Sequence, residues 1–417
     1  MIKKVKSKTY DFLRWSEQWT QTDMLYLAKG GTWLGISQAV SMAAAFLSSI
    51  AFANLLPVEI YGAYKYIFSI IGILSIATLG GLNTALIQAT ARGDEGTLYA
   101  AIKTKMRWGL LAAIGSLGLA GYYYLGDNLP LTLSFLVAAI FLPLMDPLNV
   151  YTSYLNGKKN FKLLTKFNII NQIIILAAMV ATIWLTKNVW LIILVYFIIN
   201  TSANSFFYWL TVRYAPPNLK ISKEAINYGK HLTAMNVISL VAGQLDKILI
   251  WHYLGAVQLA IYAFALAPID QINSGILKNT SFLALPKFSA TDSDTIKKTL
   301  PGKIIKFTAL TLAAALIYII AAPFLYKIFF PKYAASVIYS RFYALTLAVL
   351  PFSLFNVALT AQSQKRKLYF LSYTISILKI ILLFVLLPLF GIAGAIAALV
   401  GVTLYSNIAT AYLFKKI

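Results

Sequence analysis

Five basic residues lie inside stretches of the sequence whose other side chains are suited to contact with lipid. They are Lys65, Lys247, Lys278, Arg341 and Lys379. A Lys or Arg at the bilayer centre costs about 2.5–3.5 kcal/mol on insertion scales, so such residues normally have a partner or face a water-filled cavity. Three acids share these stretches, namely Asp146, Asp246 and Asp270. The resulting excess of buried positive charge is what a pathway for an anionic ligand requires.

The stretch that contains Asp270 and Lys278 is also the most polar one. At 100° per residue, Asp270, Gln271 and Lys278 fall within an arc of about 100°, and Asn273 lies about 60° to one side. This polar stripe predicts contact with the interior of a helix bundle. Asp270 lies near the middle of its stretch, which makes it the first choice for binding a coupling proton or sodium ion. Lys278 lies near the cytoplasmic end, where extension to the lipid headgroups is the alternative role.

Asp246 and Lys247 are adjacent and point about 100° apart on a helix, so they cannot pair face to face. We expect Asp246 to pair with Lys379 or Arg341 on another span, or to bind a coupling ion. A purely structural ion pair is the alternative. The predicted binding residues for the anion are therefore Lys247, Arg341 and Lys379, with Lys278, Gln271 and Asn273 beside them. Lys65 lies at the end of a span and is predicted to be an interfacial anchor.

The elements that must position these residues follow from composition. Of the 417 residues, 59% are hydrophobic and 12% are charged, and the mean hydropathy is +0.73. These values are typical of an all-α, polytopic membrane protein. Apolar runs long enough to cross a hydrocarbon core of about 30 Å predict twelve transmembrane helices. They fall at 31–55, 64–88, 107–126, 129–150, 165–186, 189–212, 232–254, 258–283, 304–325, 333–359, 368–390 and 392–414.

The composition also excludes several classes of chemistry. Cysteine is absent and only two histidines occur, so thiol catalysis, iron–sulfur clusters and His-based metal sites are not expected. The sequence contains no Gly-rich phosphate loop and no serine-nucleophile elbow. We therefore predict no catalytic residue, no cofactor and no metal, and a protein that is not an enzyme.

The basic residues indicate the orientation in the membrane. Most of the 36 Lys and Arg residues fall in the two termini and in the turns that follow the even-numbered spans. By the positive-inside rule, both termini are predicted to be cytoplasmic. Anionic lipid headgroups then account for the net charge of +23 better than nucleic acid does. The predicted organisation is a cytoplasmic tail at 1–30, a six-helix lobe at 31–213, a cytoplasmic linker at 214–231 and a second six-helix lobe at 232–417.

An internal repeat supports the division into two lobes. The segment from Leu56 to Tyr64, after the first span, matches the segment from Leu254 to Tyr262, after the seventh, at a constant offset of 198 residues. Six spans separate the two segments, so the halves enter the membrane in the same direction, as in transporters built from parallel repeats. The same offset places Ser49 opposite Lys247. The repeat thus predicts that the buried cations belong to the second half.

Two segments resemble a known family. Tyr61-Gly62-Ala63-Tyr64 and Leu79-Gly80-Gly81-Leu82-Asn83 are similar to the second-helix signature of bacterial polysaccharide exporters. Gln244-Leu245-Asp246-Lys247-Ile248 resembles the start of that family's second half. The resemblance is to the O-antigen flippases of the multidrug/oligosaccharidyl-lipid/polysaccharide exporter superfamily, and it extends from about residue 30 to the end of the chain. Trp251-His252 departs from the family pattern, which more often has a small-residue pair there.

The resemblance implies a two-lobed, twelve-helix flippase with a central cationic cavity in the bacterial inner membrane. It implies an undecaprenyl-pyrophosphate-linked oligosaccharide, an O-antigen or capsule repeat unit, that moves from the cytoplasmic to the periplasmic leaflet by alternating access. The expected partners are this lipid-linked substrate, membrane lipids, a coupling H+ or Na+, and the glycan polymerase machinery. The alternative is an ion-coupled exporter of drugs or metabolites from the same superfamily.

Overall fold

The computed structural model describes residues 24–289, 291–362 and 364–416, with the backbone alone at 24–30, 276–283, 285–287, 289 and 293. Within this part of the chain the regular elements are all helical, which confirms the predicted all-α class. Ten helices in the described residues are long and apolar enough to cross a membrane. Most of the predicted cytoplasmic tail, residues 1–23, lies outside the described residues.

Thirteen α-helices and three short 3-10 helices make up the described part of the chain. In chain order the α-helices are α1 (Met24–Leu55), α2 (Val58–Leu74), α3 (Gly81–Ala91), α4 (Thr97–Leu125), α5 (Leu129–Leu148), α6 (Tyr151–Gly157), α7 (Phe161–Leu185), α8 (Val189–Tyr214), α9 (Lys223–Ser289), α10 (Ser293–Phe329), α11 (Ser336–Val349), α12 (Ser353–Ala361) and α13 (Lys365–Lys415). The 3-10 helices are Ser75–Thr78, Pro331–Tyr333 and Leu350–Phe352.

The long helix α9 is a hairpin of two spans. Gly255 interrupts it with φ 83°, a backbone conformation that glycine adopts without a steric penalty. The Tyr262 hydroxyl donates a 2.5 Å hydrogen bond to the Asp246 carboxylate. In a continuous helix these two residues would lie about 24 Å apart along the axis. The chain therefore turns back at Gly255, between the seventh and eighth predicted spans.

The helix α13 turns back in the same way at Gly391, where φ is 58°. Lys367 Nζ lies 3.0 Å from the backbone oxygen of Lys416, although a continuous helix would separate them by about 70 Å. The predicted turn between the last two spans is thus confirmed. With α9 and α13 each counted as two spans, the ten long helices give the twelve predicted membrane helices.

The second span differs from its prediction. It begins at Val58 rather than at residue 64, and it breaks at Leu79, a non-glycine residue with φ 60°, before α3 begins. The break permits close packing at Gly81, where an added Cβ would lie 2.4 Å from the Gly229 carbonyl oxygen. The Gly81 N–H also donates a 3.0 Å hydrogen bond to Thr233 Oγ1. Hydropathy along the sequence cannot predict this contact, because the contact depends on a helix that is distant in the sequence.

The third span also begins earlier than predicted. The helix α4 starts at Thr97, whereas the apolar run on which the prediction rested starts at residue 107. The intervening turns carry basic residues, which favour a helix but lower the hydropathy. The hydropathy therefore marked where the apolar part of α4 begins and not where the helix begins.

The described chain divides into two compact units. The N-terminal unit comprises Val40–Ala263 with Ile328–Tyr333, and the C-terminal unit comprises Met1–Ala39, Phe264–Lys327 and Ala334–Ile417. The seventh span thus belongs to the same compact unit as the spans before it. The predicted lobes at 31–213 and 232–417 stay a prediction, since they rest on repeated sequence rather than on contact density.

Small residues hold α4 and α5 together inside the N-terminal unit. A Cβ on Gly109 of α4 would lie 3.0 Å from the Cα of Pro143 of α5, so the two backbones are in close contact. One end of the contact is fixed by buried Ser116, whose hydroxyl donates a 2.7 Å hydrogen bond to the Phe135 carbonyl. Small residues and polar cross-links of this kind drive helix packing in membranes.

An apolar cluster holds α9, α10 and α11 together inside the C-terminal unit. Its buried members are Ile269, Ala315, Tyr318, Ala322, Ala344 and Leu347. The buried hydroxyls of Tyr318 and Ser340 lie 2.6 Å apart and tie α10 to α11. This cluster fixes the helix faces that carry Asp270 and Arg341.

Candidate functional site

A buried ion pair lies in the N-terminal unit. Lys105 of α4 is 0% exposed, and its Nζ lies 3.2 Å from Asp146 Oδ2 of α5 and 3.0 Å from Asn83 Oδ1 of α3. The Thr78 hydroxyl donates a further, short hydrogen bond to the Asp146 carboxylate. The Lys105 charge is thus matched by one carboxylate and satisfied by two hydrogen-bond acceptors.

Lys105 was not among the predicted buried cations because its helix begins earlier than predicted. The predicted third span started at residue 107, which left Lys105 in a cytoplasmic turn. The expectation that the first half has no buried cation is therefore wrong. The signal was Asp146, an acid within a strongly apolar run, which required a cation from a neighbouring helix.

Asp246 is buried, with 3% of its surface exposed, and it lies on the first arm of the α9 hairpin. Its hydrogen bond from Tyr262 joins the two arms across Gly255. Tyr262 ends the second repeated segment, and Asp246 lies in the segment that resembles the start of the family's second half. The predicted pairing of Asp246 with Lys379 or Arg341 stays a prediction, as does a role in ion binding.

Lys247 points away from Asp246, as the helix geometry predicts. Its half-buried ammonium lies 3.1 Å from Gln244 Oε1, one turn earlier on α9. The Gln244 amide in turn packs over Gly72 of α2, where an added Cβ would lie 3.0 Å from Nε2. Within the described part of the chain no carboxylate lies within ion-pair distance of Lys247, so its charge is not neutralised there.

Asp270 and Arg341 lie in the C-terminal unit, and each has a neutral partner. The exposed Asp270 carboxylate accepts a 2.8 Å hydrogen bond from the Tyr343 hydroxyl. The half-buried Arg341 donates a 2.8 Å hydrogen bond from Nε to the Ile319 carbonyl. Residues two apart on a helix do not share a face, so Arg341 and Tyr343 point in different directions. Among the described residues no ion pair involves Arg341.

The remaining predicted site residues, Gln271, Asn273, Lys278 and Lys379, also belong to the C-terminal unit. Gln271 and Asn273 are half-buried beside Asp270, and Asn273 Oδ1 has no hydrogen-bond partner among the described groups. Lys379 is half-buried in the first arm of α13. The side chain of Lys278 lies outside the described residues. No three His, Asp or Glu side chains in the described part of the chain are grouped as metal ligands would be.

The residue pair that departs from the family pattern has a packing role. The Trp251 ring stacks on the Tyr66 ring, with centroids 4.5 Å apart and planes 13° apart. The Tyr66 hydroxyl in turn lies 2.5 Å from that of Tyr123. Trp251 therefore anchors α9 to α2 near the two repeated segments, where a Cβ on Gly62 would lie only 1.9 Å from the Ala256 carbonyl oxygen.

Aromatic rings form a continuous face inside the N-terminal unit. Tyr61, Tyr64 and Phe68 follow one side of α2, with successive centroids 6.2 Å and 4.6 Å apart, and Tyr196 of α8 meets Phe68 at 4.7 Å. Lys65 Nζ lies 5.2 Å from the centroid of Tyr61. The spacing i, i+3 and i+7 on α2 was the signal for a packed face.

A second ion pair lies outside the membrane spans of the N-terminal unit. Glu95, between α3 and α4, accepts hydrogen bonds from Lys158 Nζ at 2.7 Å, from the Tyr154 hydroxyl at 3.3 Å and from the Asn218 N–H at 3.3 Å. Partial burial raises the pKa of Glu95 and is the largest single influence. The three hydrogen bonds and the Lys158 charge together outweigh it, so the pKa lies below its ordinary value.

Comparison with known proteins gives a family and a fold. The model of a polysaccharide biosynthesis protein family matches residues 27–292. No curated protein sequence matches the chain. Among solved structures, a multidrug resistance MATE family transporter of the MOP superfamily, in an outward-facing conformation, is 13% identical with a TM-score of 0.69. The alignment covers 94% of each chain.

Two further solved structures share the fold. The lipid II flippase MurJ, in an inward closed conformation, is 12% identical with a TM-score of 0.68, over 91% of this chain and 87% of the other. A MOP superfamily transporter from Pyrococcus furiosus Vc1 (DSM3638), described by the reverse polarity of its binding pocket, is 12% identical with a TM-score of 0.63. That alignment covers 93% of this chain and 94% of the other. At these identities the likeness is one of fold.

Proposed function

The chain belongs to the polysaccharide biosynthesis protein family, and from that premise we propose that it is a flippase for a lipid-linked oligosaccharide. The proposed substrate is an undecaprenyl-pyrophosphate-linked O-antigen or capsule repeat unit. It moves by alternating access from the cytoplasmic to the periplasmic leaflet of a bacterial inner membrane. Both termini of the protein are cytoplasmic in this proposal, and no step of it is catalytic.

The surroundings of Arg341 are the main support for this proposal. Its guanidinium is half-buried in a membrane helix, and its partner among the described groups is a single backbone carbonyl. A guanidinium has five N–H donors in a planar fork, so most of its donors remain for a ligand. That fork matches the oxygens of a phosphate or pyrophosphate. A positive charge in this environment therefore favours an anionic substrate over a cationic drug.

Two other features support the same substrate class. Lys247 forms no ion pair with a described carboxylate, and we assign it, like Lys379 and Lys278, to the pyrophosphate. The aromatic face on α2 and α8 provides flat, amphipathic surfaces with hydroxyls, which suit the alternating apolar and polar faces of sugar rings. Gln271 and Asn273 add amides that can bond to glycan hydroxyls. Membrane lipids and the glycan polymerase machinery are the proposed partners.

Replacement of Arg341 tests the proposal. A charged hydrogen bond is worth about 1.5–3 kcal/mol, so Arg341→Ala should reduce surface glycan display about tenfold or more. Arg341→Lys, which keeps the charge but loses the fork, should retain intermediate display. Lys298→Ala removes an exposed basic residue of the same unit and is the matched control. The lipid-linked oligosaccharide should accumulate on the cytoplasmic leaflet in the Arg341→Ala strain. Full display at normal protein levels would contradict the role of Arg341.

One observation favours the alternative function, an ion-coupled exporter of drugs or metabolites. Asp270 is an exposed carboxylate within a membrane helix and accepts a hydrogen bond from the Tyr343 hydroxyl, and a carboxylate at such a position is the type of group that binds H+ or Na+. In an exporter of this kind, Asp270→Asn should abolish drug efflux and leave glycan display unchanged. In the proposed flippase, the same variant should slow glycan display and leave drug susceptibility unchanged.

A further inference from the structure

An apolar groove lies on the surface of the N-terminal unit. It is formed by the end of α2, by α4 and by the first arm of α9, and its volume is about 700 Å³. Its walls include Leu74, Leu111, Val237 and Val241. Leu111 is 53% exposed, so the groove is open on one side. Because these helices cross the membrane and the exposed wall residues are apolar, we expect the open side to contact lipid.

One end of the groove is polar and positively charged. Lys230 and His231 lie there, next to Trp108, with Lys230 Nζ 5.9 Å from the centroid of the Trp108 ring. Within the described residues no carboxylate forms an ion pair with Lys230. Trp at the membrane interface and Lys at the headgroup level mark the boundary of the hydrocarbon region. The charged end therefore lies at a membrane surface, which is the cytoplasmic one by the predicted orientation.

The length of the groove corresponds to one leaflet. From Lys230 to Val241, α9 advances about 16 Å, and half of a hydrocarbon core of about 30 Å is about 15 Å. An acyl chain of a bilayer phospholipid spans this depth, whereas the longer polyprenyl chain of a lipid-linked sugar exceeds it. The groove volume also lies within the range of about 300–1,000 Å³ for ligand pockets.

We propose that this groove binds an anionic glycerophospholipid, with one acyl chain along α2, α4 and α9 and the phosphate group on Lys230 and His231. Such a lipid would join three helices beside the Gly81–Thr233 contact, which follows the break of the second span at Leu79. The inference concerns the lipid surroundings of the N-terminal unit and does not depend on the flippase proposal.

Thermal unfolding of the purified full chain in detergent tests the binding. Phosphatidylglycerol should raise the Tm by several degrees more than phosphatidylcholine with the same acyl chains, because a ligand that binds the folded state stabilises it. The double variant Lys230→Gln with His231→Asn should keep its Tm in detergent and lose the difference between the two lipids. Native mass spectrometry should show phosphatidylglycerol on the parent protein and at least tenfold less on the variant.

A second apolar groove provides a matched control. It lies on the same unit, has a volume of about 490 Å³ and is lined only by apolar side chains, among them Ala181 and Trp184. Ala234→Phe fills the charged groove and should remove the gain from phosphatidylglycerol. Ala181→Phe fills the uncharged groove and should leave that gain unchanged.

Three outcomes would overturn the assignment. Equal gains from phosphatidylglycerol and phosphatidylcholine would show that the groove does not select an anionic headgroup, as would a full gain in the Lys230 and His231 variant. A gain from undecaprenyl phosphate, but not from phosphatidylglycerol, that depends on Lys230 would assign the groove to a prenyl chain instead.

Discussion

Lys105 in the N-terminal unit and Arg341 in the C-terminal unit are both basic residues within membrane helices, but their surroundings differ. Lys105 is fully buried, pairs with Asp146 and donates to Asn83. Arg341 is half-buried and donates to a backbone carbonyl. The first arrangement cancels the charge inside the protein, and the second leaves the charge for another group. The presence of a carboxylate partner therefore distinguishes a structural cation from a cation that could bind a ligand. The position of the cation within a membrane helix does not make that distinction by itself.

The comparison also changes the balance of charge that the sequence suggested. Asp146 was counted against the five predicted buried cations, but it belongs to Lys105. Of the three acids, only Asp246 and Asp270 then remain to balance the charge of those five cations. Summed over the apolar stretches of the sequence, the excess of positive charge is thus larger than the predicted one, which is consistent with the proposed anionic substrate.

The largest expected effect comes from separating Lys105 from Asp146. Lys105→Met leaves a carboxylate without its cation inside the unit, which should cost about 3–5 kcal/mol of unfolding free energy. The Asp146 side chain is 29% exposed, so the lower end of this range is expected. The loss should appear as a lower Tm and a lower protein level in the membrane.

A double variant makes this test specific. Lys105→Met combined with Asp146→Leu removes both charges and should recover most of the lost stability. Lys103→Met, at an exposed position on the same helix, should leave the Tm unchanged. A stable Lys105→Met single variant would show that the pair is not structural and would remove the distinction between Lys105 and Arg341.

The sequence predicted the membrane helices well because a run of about 20 apolar residues is a strong local signal. The all-α class, the count of twelve and the turns at Gly255 and Gly391 were all confirmed. The edges shifted at Val58 and Thr97, where polar or aromatic residues extend a helix beyond its apolar core, and the break at Leu79 inside the second span was not predicted.

The partners of the site residues could not be predicted from the sequence. Whether Lys105 meets Asp146 depends on the close contact of Gly109 with Pro143, and that contact exists only once α4 and α5 pack together. The hydrogen bond from Tyr262 to Asp246 likewise depends on the turn at Gly255. The sequence marked Lys247, Arg341 and Asp270 as unusual residues, and their binding roles stay predictions.

A matched pair of Tyr→Phe changes extends the comparison to the acids. Tyr262→Phe removes a hydrogen bond from the buried carboxylate of Asp246 and should cost about 1–2 kcal/mol, since a buried acceptor loses a donor. The measurement is unfolding of the purified protein in detergent. Trp190→Phe, an aromatic change elsewhere in the N-terminal unit, provides a control for general repacking. An unchanged Tm would mean that this hydrogen bond does not hold the hairpin together.

The equivalent change in the C-terminal unit should have a smaller effect. Asp270 is exposed, so Tyr343→Phe should cost only about 0.6 kcal/mol, the average for hydrogen bonds between membrane helices. The variant should instead alter transport if Asp270 binds an ion, because the carboxylate loses a neutral donor. A stability loss as large as that of Tyr262→Phe would show that burial does not account for the difference between the two acids.

The smallest expected effect comes from the second Lys–carboxylate pair, Glu95 with Lys158, which repeats the chemistry of Lys105 and Asp146 outside the membrane spans. Glu95→Gln should cost about 0.5 kcal/mol at neutral pH, within the range for exposed ion pairs. Since the pKa of Glu95 is lowered in the folded state, its contribution is present above the ordinary value of 4.5 and is lost as the pH falls through the lower folded value.

The unfolding free energies of parent and Glu95→Gln proteins should therefore differ at pH 7 and approach each other as the pH falls below the ordinary pKa of 4.5. Added salt should reduce the difference at pH 7, because the pair is accessible to solvent, and it should leave the cost of Lys105→Met nearly unchanged. A difference that persists unchanged at pH 3 would mean that Glu95 acts through packing rather than through its charge. The salt and pH dependence thus distinguish the solvent-accessible pair of Glu95 and Lys158 from the pair of Lys105 and Asp146 between α4 and α5, although the two pairs are chemically alike.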